Sequence, residues 1–382
     1  MKNKTDVVII GGGINGCCLA YLLAKRGVDV AVLEKSYLSS GATGACGAGI
    51  RQQWSIRDNA ELAIKSVKIF ESLSEELGED IEFRQGGYLV VNHNEEETKQ
   101  AKKNVSMQRS LGLKVDLLEA DEINDIVPIL DIKGMRAVGA TFCPTDGLAN
   151  PFKTTFAYAN AARRNNAKIY THTKVVDIKT DGRKISSVKT DKGSIKTNTV
   201  INAAGVWSTN IARMVGIKLP NIPFRKEALA TERLKSMFEA MVISFKDGIY
   251  FSQQKDGQIV GGIPIPEEKS GFQTMPTFSF VQHMSKTLTR YAPALKNVNM
   301  LRHWTGFYDV TPDARPILGE SKVVKGFIQC NGFSGHGFML SPMVCKLLSD
   351  FLVDGRAPSI LESLKLDRFK GKKITHERSV VG

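Results

Sequence analysis

No uninterrupted apolar run of membrane-spanning length occurs in the 382 residues. Val7 to Ala24 is uncharged and follows Lys2 and Lys4, but three consecutive glycines and Asn15 divide it. No small-residue cleavage site precedes Lys25 and Arg26. Neither an integral span nor an export signal is expected, and the expected location is cytoplasmic, with peripheral membrane association left open. Cysteine is sparse and scattered. Cys17, Cys18, Cys46, Cys143, Cys330 and Cys345 form no C-x-x-C pair and no clustered Cys/His spacing, so no metal site is expected and the thiols read as buried groups in a reducing compartment. Tandem repeats, low-complexity tracts and flexible linkers are also missing, which implies domains sharing an extensive interface. Acids are in deficit: 52 Lys+Arg against 39 Asp+Glu leave a formal charge of +13. The basic residues are nevertheless dispersed among acids. The densest stretch, Lys370 to Lys373, has no interleaved aromatics, and no zinc-finger or RNP pattern occurs. The surplus reads as a solvated face, and no nucleic-acid partner is expected.

What is present is ordinary globular composition, 42% hydrophobic and 24% charged, on a chain long enough for two or three domains. Residues 6 to 34, DVVIIGGGINGCCLAYLLAKRGVDVAVLE, carry three features in register. Val7 to Ile10 is a short β-branched run bounded by glycine, as a buried parallel strand should be. Gly11, Gly13 and Gly16 then form G-x-G-x-x-G ahead of Leu19, Leu22 and Leu23 at helical spacing. A second strand, Val28 to Leu33, ends in Glu34. Gly11 permits the tight turn, Gly13 admits a pyrophosphate to the backbone, and Gly16 lets helix and strand pack closely. The helix N-terminus offers N–H groups and a positive dipole end to phosphate. Glu34 is placed to accept from both ribose hydroxyls and would repel a 2′-phosphate, so NADP is not expected. Strand, helix, second strand and terminal acid together point to a dinucleotide; a plain βαβ turn is the bland alternative.

The stretch after Glu34 favours FAD over NAD. Ser39 to Gly49, SSGATGACGAG, is too poor in bulk to build a core and lets backbone amides approach a large flat ligand. A NAD enzyme more often continues into further βαβ units. A third segment, TNTVINAAGVWS, runs from a strand at Val200 to Asn202 into Ala203-Ala204-Gly205 and Trp207. Near the C-terminus a strand at Gly326 to Cys330 precedes the loop Asn331 to Gly337. A helix of roughly Pro342 to Leu352 follows, its N-terminus aimed at whatever the loop holds. A flavin becomes anionic near N(1) on accepting hydride, and a helix N-terminus stabilises that charge.

The set GGGINGCCLAYLLAKRG, GATGACGAGIRQQW, VINAAGVWS, TGFYDVTPDARPILGE and GFSGHGFMLSP resembles the D-amino-acid-oxidase superfamily of FAD enzymes. Within it, the chain looks like the branch holding the β subunits of heterotetrameric sarcosine oxidase and of dye-linked L-proline dehydrogenase. The resemblance covers nearly the whole chain. It implies an α/β (α+β overall) fold: a glutathione-reductase-like, Rossmann-type FAD-binding domain, residues 1–84, 143–220 and 318–382, interrupted by an antiparallel-sheet substrate domain, 85–142 and 221–317. The chain's pattern agrees, since segments near 85–92, 246–252 and 258–263 alternate or run apolar between turn residues. The FAD contacts expected are Gly11, Gly13, Gly16, Glu34, Lys35, Ser40, Thr43, Gly47, Val175, Ala204, Gly205, Trp207, Gly335, His336, Gly337, Phe338 and Met339.

For substrate, Arg51 stands first. It follows the small-residue loop, matches the carboxylate-binding arginine of related sarcosine oxidases, and can grip a carboxylate through two parallel hydrogen bonds. An arginine on FAD phosphate or in a structural ion pair is the competing reading. His336, between two glycines, has too little neighbouring bulk for a packed core histidine. The resemblance puts it beside the flavin, and a role in binding or polarising the ring is favoured over general-base catalysis, because an amine can lose its proton before hydride leaves it. Tyr250 is expected to line the pocket, although a strand tyrosine is more often core. Thr305, Tyr308 and Arg315 are weaker candidates.

Departures from the family pattern matter. The lysine that activates oxygen in monomeric sarcosine oxidases is matched by Ile259, and the lysine after Gly-His-Gly-Phe by Met339. DGLANPFKTT lacks the histidine that tethers FMN, so covalent FMN is not expected and FAD is expected to be non-covalent. The expected reaction is oxidation of an amino acid, a secondary amine such as proline, hydroxyproline or sarcosine, by hydride transfer to flavin N(5). The electrons would go to a partner subunit, dye or quinone, and the chain would be the catalytic β subunit of a hetero-oligomer, with FMN or another redox centre at the partner interface. The alternatives are a 2-hydroxy-acid or glycerol-3-phosphate dehydrogenase, a tRNA-modifying FAD enzyme, and a non-catalytic flavin-binding subunit.

Overall fold

A computed structural model describes residues 1–265, 268, 270–370 and 375–380. Of the basic stretch from Lys370, residues 371–373 lie outside the described residues. The apolar run Val7–Ile10 is the middle of a six-stranded sheet. Thr199–Asn202, Phe327–Asn331 and Ile317–Glu320 lie on one side, and Val30–Leu33 and Lys168–Tyr170 on the other. All pairs are parallel except Ile317–Glu320 on Phe327–Asn331. Strands buried on both faces read as continuous β-branched runs, which is why Val7–Ile10 and Val30–Leu33 show no alternation. Helices Ile14–Ala24, Arg57–Leu77, Pro151–Arg164 and Gly337–Asp354 pack together over one face, sharing a core that includes Leu19, Phe70, Tyr158 and Leu348.

A second, eight-stranded sheet runs in the order Met300–Val310, Ile222–Arg233, Gln258–Gly262, Tyr250–Gln253, Met241–Ile243, Tyr88–Asn92, Gly139–Cys143 and Asp116–Glu119. It is antiparallel apart from Met241–Ile243 on Tyr88–Asn92, where two segments distant in the chain meet in parallel. Its core, around Phe251, Ile259, Phe280 and Tyr291, is separate from that of the first sheet.

Three boundaries differ from those expected. The second strand starts at Val30 rather than Val28, because Gly27, at φ +79°, turns the chain and Val28 N–H still bonds back to the Leu23 carbonyl. The strand expected from Gly326 runs Phe327–Asn331, after Gly326 at φ +81°. The last long helix is Gly337–Asp354 and contains Pro342, where the sequence suggests a start. Proline cannot donate to the Phe338 carbonyl four residues back, and Ser341 Oγ donates to it instead at 3.0 Å. The helix therefore begins immediately after His336.

Candidate functional site

The helices Ile14–Ala24 and Gly337–Asp354 both start at a cavity of about 560 Å³, in the range of cofactor sites. Neither has a side-chain cap from its own N-cap residue, Gly13 or His336, so the positive ends of both dipoles face the same space. The first turn is tight for a steric reason. A Cβ on Gly11, at φ +114°, would lie 2.4 Å from the Ala203 carbonyl oxygen, and one on Gly16 would lie 1.9 Å from that of Gly11. Gly16 thus closes the strand–helix contact and does not line the cavity. Every other residue named from the sequence as a cofactor contact does: Gly11, Gly13, Glu34, Lys35, Ser40, Thr43, Gly47, Val175, Ala204, Gly205, Trp207, Gly335, His336, Gly337, Phe338 and Met339.

These residues fit an adenine dinucleotide. Glu34 accepts from the N–H groups of Gly12 (2.7 Å, on Oε2) and Ser36 (2.8 Å, on Oε1) and from Ser40 Oγ (3.5 Å, on Oε1), which fixes its carboxylate at the cavity wall; Oε2 keeps a further lone pair for a ribose hydroxyl. Lys35 extends over the Trp207 ring, its Nζ 3.2 Å from the centroid. Thr43 Oγ1 accepts from Ile14 N–H at the helix start. The loop of small residues presses on Tyr250, since a Cβ on Gly47 would come within 2.7 Å of that ring.

Arg51, His336 and Tyr250 all line this cavity. Arg51 is 1% exposed; Nη2 donates to the Ser379 carbonyl at 2.5 Å, while Nη1 has no hydrogen-bond partner among the described residues. Its guanidinium carbon lies 4.6 Å from the Trp54 ring centroid and 5.3 Å from that of Phe245. Burial lowers its pKa, but arginine does not deprotonate in proteins, so the site holds a fixed cation. His336 corrects one expectation: it is 4% exposed, and its ring meets Trp54 edge-on at 4.5 Å, so two flanking glycines do not deprive it of bulk. Burial, followed by the charge of Arg51, pulls its pKa down to about 3, and Nδ1 has no partner among the described residues. Burial raises the pKa of Tyr250, which keeps its proton.

Several residues fall elsewhere. Thr305 and Arg315 do not line the cavity; Arg315 pairs with Asp58 at 3.0 Å. Tyr308 does line it. Ile259 is fully buried in the core of the eight-stranded sheet, and the lysine that reaches the cavity beside Tyr308 is Lys226, paired with Glu268 at 2.8 Å. Sequence reading also missed Trp54, whose ring touches both Arg51 and His336; its position three residues after Arg51 was the available signal. It missed Asp309 as well. This cavity residue accepts from Gly332 N–H (2.6 Å) and Asn221 Nδ2 (3.0 Å), and burial pushes its pKa up to about 7.

Among the described residues no group of three or more His, Cys, Asp or Glu stands together to hold a metal, and no helix is long and apolar enough to cross a membrane.

The chain is similar to the sarcosine oxidase β subunit of Arthrobacter sp., 29% identical over 98% of this chain and 94% of that protein. Among solved structures it is similar to L-proline dehydrogenase from P. horikoshii, with TM-score 0.93 and 38% identity over 98% of this chain and all of that one. Glycine oxidase from Geobacillus kaustophilus aligns with TM-score 0.89 and 26% identity over 97% of this chain and all of that one. The model of the FAD-dependent oxidoreductase family matches residues 6–351, and the chain belongs to that family.

Proposed function

We propose that this oxidoreductase oxidises an amino acid at the carbon next to nitrogen, with a secondary amine such as proline, hydroxyproline or sarcosine as substrate. The observation that carries the reading is Arg51, a permanent cation buried in the cavity wall, with Nη1 unpartnered among the described residues. A buried, incompletely paired charge costs several kcal/mol, and an anionic ligand removes that cost. A carboxylate matches guanidinium geometry. FAD, held by the Gly11 turn, Glu34 and the helix starts at Ile14 and Gly337, supplies a two-electron acceptor when bound. Arg51 orients the substrate, Tyr250 and Tyr308 wall it in, and neutral His336 adds polarity without adding charge. No side chain need take the proton in the step itself, because the amine can bind deprotonated.

Support for a secondary amine comes from the similarity to a sarcosine oxidase subunit and a proline dehydrogenase. The first of these is named as a subunit, which supports a partner chain as electron acceptor, with FMN or another redox centre at that interface as the finer form. The reading divides the chain into 1–84, 143–220 and 318–382 for FAD and 85–142 and 221–317 for substrate; the two large sheets support it except at two edges, since Cys143 ends a strand of the eight-stranded sheet and Ile317 begins one of the six-stranded sheet. It places the protein in the cytoplasm, consistent with six free cysteines.

The test is anaerobic bleaching of the flavin by proline, hydroxyproline, sarcosine, glycine, 2-hydroxy acids and glycerol 3-phosphate. Reduction by an amine, lost in Arg51→Ala at ordinary substrate concentrations with flavin retained, is expected. Bleaching by a hydroxy acid and by no amine would end the proposal.

A further inference from the structure

Residues 375–380 lie along the outside of the protein, yet Glu377 is fully buried and Ser379 nearly so. The Glu377 carboxylate accepts from Ser55 N–H (3.1 Å), Ser55 Oγ, Ile56 N–H (3.2 Å), Asn59 Nδ2 (2.8 Å) and Ser379 N–H (2.9 Å). Its own N–H donates to the Asp313 carbonyl at 3.1 Å, and Arg378 N–H donates to Ser55 Oγ at 3.2 Å. All five donors on the carboxylate are neutral, and the four from Ser55, Ile56 and Asn59 sit at the start of helix Arg57–Leu77, whose N-cap residue Ile56 has no capping side chain. Glu377 thus caps from the far end of the chain a helix that begins six residues after Arg51.

The consequence falls on Arg51. With Glu377 seated, the next residue but one delivers its carbonyl to Arg51 Nη2 at 2.5 Å, while the Trp54 and Phe245 rings bound the guanidinium. A carbonyl orients a cation without neutralising it. A carboxylate in the same place would form an ion pair and compete with an anionic ligand.

We propose that Glu377 is a positioning residue for the substrate carboxylate: it clamps the C-terminal segment so that the Ser379 carbonyl holds Arg51 in the cavity wall, with Nη1 left unpartnered among the described residues. This rests on the reading of Arg51 as the carboxylate anchor. The experiment compares full-length holoenzyme with Glu377→Gln, with a chain ending at Ile374, and with Arg51→Ala. The readouts are KM and kcat for flavin reduction, flavin content, and the dissociation constant of benzoate, a carboxylate that cannot be oxidised, from the flavin spectrum. The expected result for both tail variants is KM and benzoate dissociation constant raised together by about tenfold, a tenfold change corresponding to one lost charge-assisted hydrogen bond, with kcat and flavin content within about twofold. Glu377→Gln keeps the shape of the cap and carries the test if the shortened chain fails to fold. Unchanged or lowered KM in the tail variants, with KM raised in Arg51→Ala, overturns the positioning role alone. Unchanged benzoate binding in Arg51→Ala overturns the underlying reading of Arg51.

Discussion

Single residues set the charge state of the site. His336 is the side chain whose ordinary pKa invites a base assignment, but burial holds it near 3, so it is neutral at working pH. Its folded pKa lies below the ordinary 6.5, so the stability from its neutral form is complete above pH 6.5 and is lost as pH falls toward 3. His336→Gln is expected to slow flavin reduction by less than about 10²-fold, the lower bound for losing a general base, with an unchanged pH profile between pH 5 and 9. Disappearance of a titration step in the variant would reinstate His336 as a base. Asp309 has the opposite sign. Its pKa is raised to about 7 from 3.8, so the stability tied to its protonated form is present below 3.8 and is lost as pH rises to about 7. Asp309→Asn can accept both existing hydrogen bonds through its amide oxygen. It is expected to raise the apoprotein Tm at pH 8 more than at pH 5; equal shifts at the two values would show an ordinary carboxyl.

At the scale of elements, the strand–turn–helix Val7–Ala24 depends on the absence of a single methyl group. Alanine is ordinarily better than glycine in a helix by about 1 kcal/mol. At Gly16 its Cβ would sit 1.9 Å from the Gly11 carbonyl oxygen, and strain of roughly 1–3 kcal/mol outweighs that gain. Gly16→Ala should therefore purify without flavin and with a lowered Tm; a flavin-replete variant of higher Tm would show that the helix shifts freely. Trp54 performs a comparable service beyond the motif by backing Arg51 and His336 at once. Trp54→Ala is expected to cost about 3–5 kcal/mol, as other large-to-small core changes do, and to raise KM along with it, measured by denaturant unfolding and steady-state kinetics.

For the whole molecule, the decisive feature is that one cavity is walled from both large sheets. Gly11, Glu34 and Ala204 come from the connections of the first, and Lys226, Tyr250 and Tyr308 from strands of the second. FAD at about 100 times its dissociation constant adds about 2.7 kcal/mol to folding, roughly 3 °C in Tm for a chain of this size. Calorimetry is expected to show that whole shift on a transition containing both sheets. Two transitions, only one of them moved by FAD, would mean that the second sheet does not share the site.

The nucleotide half of this protein was legible in the sequence because its determinants are local: Gly11, Gly13 and Gly16 act within one turn, and Glu34 ends the next strand. Arg51, Tyr250 and His336 were found as candidates, and the family resemblance supplied the reason to group them. Local pattern could not show what surrounds them. Pro342 suggests a helix start, and only the Ser341 hydroxyl reveals that the helix runs on to Gly337. Two glycines suggest an open setting for His336, and Trp54, distant in the chain, closes it. The carboxyl of Asp309 and the clamp at Glu377 owe their character to burial and to partners more than twenty and more than three hundred residues away. The sequence alone thus determined the βαβ unit with its glycine turn and terminal acid, because short-range sterics and hydrogen bonds specify it. Only the tertiary structure decided which charges stand uncompensated in the cavity, because desolvation and ion pairing depend on contacts that strand order and helix packing create.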